Sequence, residues 1–231
     1  MKTIGLIGGM SWESTQTYYR LINQHVRDAL GGLHSAKVVL YSVDFAEIEA
    51  LQHQGDWQAT AEILGAAGKS LAAAGADFLV LCTNTMHKVA EPLEAAVSIP
   101  LLHIADATAQ VLQQQGIGCV GLLGTRFTME QAFYIERLQR HGIEVVVPSE
   151  PQREHVHSVI YQELCLGVVK ADSKADYLDI VDSLAERGAQ GVILGCTEIG
   201  LLIQQADTSV PLFDTTEIHA AQAVQWALEH G

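Results

Sequence analysis

Short β-branched and aliphatic runs alternate along this chain with longer amphipathic stretches, and that alternation constrains the fold more than any other feature. The short runs cover residues 3–7, 37–43, 78–82, 100–103, 118–123, 144–147, 191–195 and 211–213. Most are apolar nearly throughout, as strands covered on both faces are. Segments with helical spacing lie between most of them, such as 12–30, 57–74, 128–141 and 217–229. This pattern predicts an α/β protein with parallel sheets. Ser11 is placed to cap the first helix and Gly31-Gly32 to end it. Thr128 and Gln131 fit a capping box. Gly75 and Gly188 each follow a helix and precede a strand.

The chain also repeats itself weakly. GADFLVLCTNT (75–85) resembles GAQGVILGCTEI (188–199), IGLIGG (4–9) resembles VGLLGT (120–125), and SIPLL (98–102) resembles SVPLF (209–213). The offsets are 113 or 114, 116 and 111 residues, in one order. Loops absorb such differences, so two similar Rossmann-like α/β units are expected. Exchange of the end pieces between such a pair predicts a discontinuous first domain, residues 1–103 plus 212–231, around a second at 104–211. Ligands in such sheets bind beyond the carboxyl ends of the strands. Cys82 and Cys196 end equivalent strands in this scheme, and an active site in the cleft between the two units would bring them face to face.

Composition excludes several classes. With 231 residues, 48% apolar and 17% charged, the chain has the make-up of a globular protein. A formal charge of −14 argues against nucleic-acid binding. No apolar run approaches the roughly 18 residues of a membrane span, and the N-terminus reads as a strand, so a cytoplasmic protein is expected. Four cysteines, Cys82, Cys119, Cys165 and Cys196, form no C-x-x-C pair. A zinc knuckle or a structural disulfide is therefore not expected. The IGLIGG turn lacks the G-x-G-x-x-G order of a dinucleotide loop, and no lysine stands out as a Schiff-base site.

The two cysteines carry the chemistry. Each lies where a strand hands over to a helix, and N–H groups at a helix start are expected to lower the thiol pKa and favour thiolate. One thiol on each side of a planar carbanion removes a proton from one face and returns one to the other, which inverts a stereocentre. An α-proton is a very weak acid, so donors must stabilise the developing enolate. The Gly8-Gly9-Met10-Ser11 turn, Thr83, Asn84, Thr85, Thr125 and Thr197 are the candidate donors.

IGLIGGMS at the N-terminus, CTNT at Cys82–Thr85 and GCTE at Gly195–Glu198 resemble the aspartate/glutamate racemase superfamily, amino-acid racemases that work without pyridoxal phosphate. The resemblance spans essentially the whole chain and is nearest the aspartate racemase and broad-specificity branch. It implies that Cys82 and Cys196 are the acid/base pair, serving the D- and L-enantiomer respectively. It implies no cofactor, an amino-acid substrate and a homodimer.

Relatives that act on aspartate commonly carry an arginine after the second strand and a lysine in a helix of the second domain. Those positions hold Glu49 and Cys165 here, and neither pairs with a carboxylate. Nearby Gln52 can hydrogen-bond a carboxylate or a hydroxyl.

Aspartate and glutamate are the first expected substrates, and a broader range that includes neutral or homoserine-like side chains is the alternative. A two-lobed small-ligand binding protein is the reading from a different class. Glu198 is expected either to orient a thiol, to hold the substrate ammonium, or to cap its helix. Cys119 and Cys165 read as inert. His155 and His157 read as surface residues with no carboxylate partner, and His87 as a helix-face residue.

Overall fold

A computed structural model of the chain describes residues 1–229. The chain divides into two compact units, Met1–Ile104 with His219 onward, and Ala105–Ile218. The first contains β1 (Ile4–Gly8), α1 (Trp12–Leu30), β2 (Val38–Ser42), α2 (Phe45–Gln54), α3 (Trp57–Ala73), β3 (Phe78–Leu81), a 3-10 turn (Thr85–Val89), α4 (Ala90–Ala96) and β4 (Leu101–Leu102). Next come α5 (Ile104–Gln114), β5 (Cys119–Gly124), α6 (Arg126–Glu130), α7 (Ala132–Arg140), β6 (Glu144–Val146), α8 (Glu150–Gln162) and a 3-10 turn (Leu164–Leu166). The second unit continues with α9 (Ala171–Glu186), β7 (Val192–Gly195), α10 (Ile199–Leu202), a 3-10 turn (Gln205–Asp207) and β8 (Leu212–Asp214). Finally α11 (Thr215–Glu229) starts in the second unit and belongs to the first from His219.

Each unit holds one four-stranded parallel sheet, ordered β2-β1-β3-β4 and β6-β5-β7-β8. The orders correspond strand for strand, as the internal repeat requires. Central strands are buried along their length, β1 at all five residues and β3 and β7 at all four. That burial explains their continuous apolar sequences.

Side chains alternate across a strand, so β3 feeds two cores. Leu79 and Leu81 pack with Ile7 and with Leu64, Leu71 and Leu93 of α3 and α4. Phe78, Val80 and Cys82 pack on the other side with Tyr18, Ile22 and Val26 of α1 and Ala220, Ala223 and Val224 of α11. Each large aliphatic side chain so buried contributes about 1.5–3 kcal/mol. In the second unit Leu123, Val192 and Leu194 pack with Val156 and Ile160 of α8 and Tyr177, Val181 and Leu184 of α9.

Three expectations change. The return to the first unit comes at His219, not at 212, because β8 pairs with β7 through Val192↔Leu212 and Ile193↔Phe213. The segment 128–141 is two helices, because Gln131 is extended (φ −92°, ψ 144°) and ends α6 as it starts α7. Thr128 therefore lies inside α6 and makes no capping box with Gln131. Thr125 caps that helix. A capping box does form at Ser149 and Gln152, ahead of α8.

Candidate active site

Site residues gather at the carboxyl ends of the two central strands in each unit. In the first unit, Ile7 of β1 is in register with Leu81 of β3, immediately before Cys82. In the second, Gly124 of β5 is in register with Gly195 of β7, immediately before Thr125 and Cys196. This is the end of a parallel sheet where ligands bind.

Beyond β3 the chain turns sharply, with the Thr83 N–H bonded back to the Leu81 carbonyl at 2.8 Å. The Ser14 hydroxyl donates to the Cys82 carbonyl at 3.1 Å, and His87 Nδ1 lies 2.8 Å from the Thr83 carbonyl. Asn84 and Thr85 are buried beside it. The Cys82 thiol has no exposed surface, and its Sγ lies 4.0 Å from the Val80 carbonyl.

Cys196 keeps some exposed surface and packs against the second-unit core with Cys165. Its thiol donates to Glu198 Oε2 at 2.9 Å. Glu198 stands at the N-cap of α10 but makes no side-chain cap bond, so of its candidate roles the structure realises contact with the thiol. Thr197 Oγ1 accepts a 3.3 Å bond from Thr216 Oγ1. Thr125 is buried, and its Oγ1 lies 3.3 Å from Thr128 Oγ1.

Neither thiol has the lowered pKa expected from the sequence. Burial pushes Cys82 well above the ordinary thiol range. Burial does the same at Cys196, and the charge of Glu198 adds to it. The physical reason is that desolvation acts on the whole thiolate charge, whereas the helical segments that follow are short. A five-residue 3-10 turn starts at Thr85 and a four-residue helix at Ile199, so few peptide dipoles align toward either sulfur. Both thiols therefore rest protonated.

The glycine turn after β1 is also built differently from the expectation. The Gly9 N–H is used by Thr15 Oγ1 at 2.8 Å, so it is not a ligand donor. A Cβ at Gly8 would lie 2.4 Å from Thr15 Cγ2, and Gly9 has φ +97° with the Val43 carbonyl 2.2 Å from where its Cβ would stand. These glycines serve close packing at the strand end. Ser11 caps α1 by accepting from the Ser14 N–H at 3.2 Å, and Met10 is buried in the first-unit core.

Gln52 is buried on α2, with Nε2 3.6 Å from Met86 Sδ, a weak acceptor. Glu49 pairs with His53 at 2.7 Å on the surface of the same helix. Cys165 lies in the 3-10 turn after α8, partly buried against the second core. Cys119 opens β5. His155 has the carboxylate partner its sequence context did not reveal, Asp176 at 3.0 Å, and His157 Nδ1 accepts from the Arg126 N–H at 3.2 Å. Among the described residues no group of three or more His, Cys, Asp or Glu is placed to hold a metal ion, and no helix is long and apolar enough to cross a membrane.

Ser14 is the contact at the candidate site that the sequence did not reveal. Its position in the first turn of α1 reads as ordinary helix, and only the fold shows its hydroxyl on the Cys82 carbonyl.

Residues 7–223 match the family described as Asp/Glu/Hydantoin racemase. A crystal structure from Yersinia pestis, assigned to the Asp/Glu racemases, is 60% identical over 99% of this chain and 100% of that one, with a TM-score of 0.94. An aspartate racemase homologue from Pyrococcus horikoshii OT3 is 37% identical over 99% of this chain and 100% of that one, with a TM-score of 0.88. The broad specificity amino-acid racemase RacX of Bacillus subtilis is 24% identical over 98% of this chain and 99% of its own length.

Proposed function

Because the chain belongs to the Asp/Glu/hydantoin racemase family and is an isomerase of the amino-acid racemase type, we propose that it inverts the α-carbon of free amino acids with Cys82 and Cys196 as paired acid and base, without a cofactor. The observation that carries this reading is the Cys196–Glu198 hydrogen bond. Two protonated thiols cannot start the reaction; one must give up its proton, and of the two, among the described residues, Cys196 is the one with a carboxylate oxygen on its sulfur.

The steps balance as follows. Cys196 passes its proton to Glu198 and becomes thiolate. The thiolate takes the substrate α-proton, breaking Cα–H and forming S–H, and leaves a planar carbanion. The Cys82 thiol delivers its proton to the opposite face, breaking S–H and forming Cα–H. The thiolate now sits at Cys82, and the reverse reaction runs through the same states. Thr83, Asn84, Thr85, Thr125 and Thr197 supply the polar contacts that hold the substrate carboxylate as charge spreads onto it. Met10 and Ser11 line the same end of the first sheet. The assembly that goes with this reading is a homodimer.

Aspartate and glutamate are the first substrates of the proposal. A second reading, toward neutral and homoserine-like side chains, is favoured by α2. That helix reads FAEIEALQHQ and carries no arginine or lysine, and its buried amide, Gln52, is uncharged. A racemase of broad specificity among the relatives agrees with it. Incubation in D2O with L-aspartate, L-glutamate and L-homoserine, followed by NMR and a chiral assay, tests both readings. Loss of the α-proton with formation of the D-form supports the racemase, and the relative rates rank the substrates. No exchange with any of them under reducing conditions would overturn the proposal in favour of a binding protein or another carbon-acid reaction.

A further inference from the structure

Two successive carbonyls beyond β3 are held by side chains. The Ser14 hydroxyl bonds the carbonyl of Cys82 and His87 bonds that of Thr83. A carbonyl only accepts, so His87 Nδ1 carries the hydrogen. The backbone N–H of Ile104 donates to His87 Nε2 at 3.2 Å, so that nitrogen is bare. His87 is thus the neutral Nδ1–H tautomer, with both nitrogens engaged by backbone groups and only 2% of its surface exposed.

The ring is wedged as well as bonded. His103 meets it edge-on at 4.5 Å between centroids, and His219 at 5.8 Å. His219 is itself fixed, accepting from the Tyr18 hydroxyl at Nδ1 and donating from Nε2 to the Leu102 carbonyl, each at 2.8 Å. A ring with both nitrogens committed in this way does not carry a substrate proton. It fixes the peptide plane after Thr83, as the Ser14 hydroxyl fixes the one before it, and those planes set the direction of the Cys82 thiol and of the N–H groups that follow it.

The geometry points to His87 as a positioning residue, whose Nδ1–H, together with Ser14 Oγ, aims the Cys82 thiol at its face of the substrate. The inference rests on the two-thiol reading above. It predicts an asymmetric defect, because the clamp holds Cys82 and leaves Cys196 alone.

The test compares His87→Leu, His87→Asn and His87→Gln with the wild-type chain. Asparagine places an amide N–H near the position of Nδ1, whereas glutamine reaches toward Nε2. Wild-type inversion in D2O establishes the two-thiol reading first; without it that reading fails, whatever the variants do. Given inversion, His87→Leu and His87→Gln should lose about 50-fold in kcat with KM within about threefold, as expected for a reacting group displaced by about an ångström. His87→Asn should stay within about fivefold of wild type.

Starting from the enantiomer served by Cys196, the slow variants should exchange the α-proton faster than they invert; from the other enantiomer both processes should slow together. Wild-type rates in His87→Leu would overturn the proposal. So would an Asn variant as slow as Leu with equal losses from both enantiomers, the outcome of a ring that acts as acid/base or merely fills space. If His87→Leu fails to fold, judged by circular dichroism and melting, the Asn and Gln pair decides.

Discussion

Cys196 Sγ lies 2.9 Å from Glu198 Oε2, and that carboxylate makes no cap bond to its own helix. The arrangement has two opposite consequences. Charge at Glu198 adds to burial in holding the thiol protonated, and in the proposed mechanism the same oxygen takes up its proton. Glu198→Gln separates them. The amide removes the charge, so Cys196 should alkylate with iodoacetamide at lower pH than in the wild type. It cannot take up the proton, so kcat should fall by about 10²-fold, within the usual range for a lost general base. Peptide mass spectrometry across pH and steady-state racemisation check the pair of effects. A Gln variant that turns over at the wild-type rate would remove Glu198 from the mechanism.

Cys82 offers the complementary case, a thiol with no exposed surface and, among the described residues, no carboxylate in hydrogen-bond contact. Cys82→Ser replaces it with a much weaker acid of similar size. Inversion should drop by at least about 10²-fold. Exchange of the α-proton should survive from the enantiomer that Cys196 serves, because that face keeps its base. NMR in D2O with each pure enantiomer separates exchange from inversion. Undiminished inversion would rule out the two-base scheme.

Much of the architecture was legible in the sequence, for a physical reason. Strands buried on both faces must be apolar throughout, so β1, β3 and β7 stand out; the more exposed β2 and β6 read as strands through their paired valines, and the ends are displaced by a residue or so. Phe78 to Leu81 is strand and Cys82 is already turn, because the Thr83 N–H bonds back to Leu81. The break at Gln131 was not legible, because apolar spacing runs on through it into α7. Nor was the change of unit at His219, because α11 runs unbroken through it from the second unit into the first. At the site, residue types and order were readable at Cys82, Cys196 and Glu198. The state of the thiols was not, because sequence shows a cysteine's neighbours along the chain and not the depth to which it is desolvated. The Ser14 and His87 bonds to successive carbonyls are likewise products of packing between elements.

The buried His219 makes stability depend on acid. Burial lowers its pKa from 6.5 to about 4, although the bond to the Leu102 carbonyl opposes this. The unfolded chain takes up the proton near pH 6.5 and the folded chain only near 4. Stability should therefore be full above pH 6.5 and fall as pH drops toward 4, by roughly 3 kcal/mol from this one group. Urea unfolding midpoints between pH 4.5 and 7 measure the slope. His219→Gln keeps a donor for Leu102 and does not titrate, so its midpoint should vary less with pH than the wild type's. Equal slopes would show that other groups govern the acid limb.

Gln52 tests how a substrate side chain is read. Its amide is buried and meets a thioether sulfur at 3.6 Å, a contact it can exchange for a stronger acceptor at little cost. If the amide donates to the side-chain oxygen of glutamate or homoserine, removing it costs those substrates a hydrogen bond and costs alanine nothing. Gln52→Leu should raise KM for glutamate and homoserine by about tenfold, the equivalent of about 1.4 kcal/mol, and change alanine by less than about twofold. Gln52→Arg should shift preference toward aspartate and glutamate, because a guanidinium forms a charge-assisted pair with a carboxylate. Specificity constants for these substrates, compared across the two variants, read the result. Uniform losses for all of them would assign Gln52 to packing beside Met86 rather than to recognition.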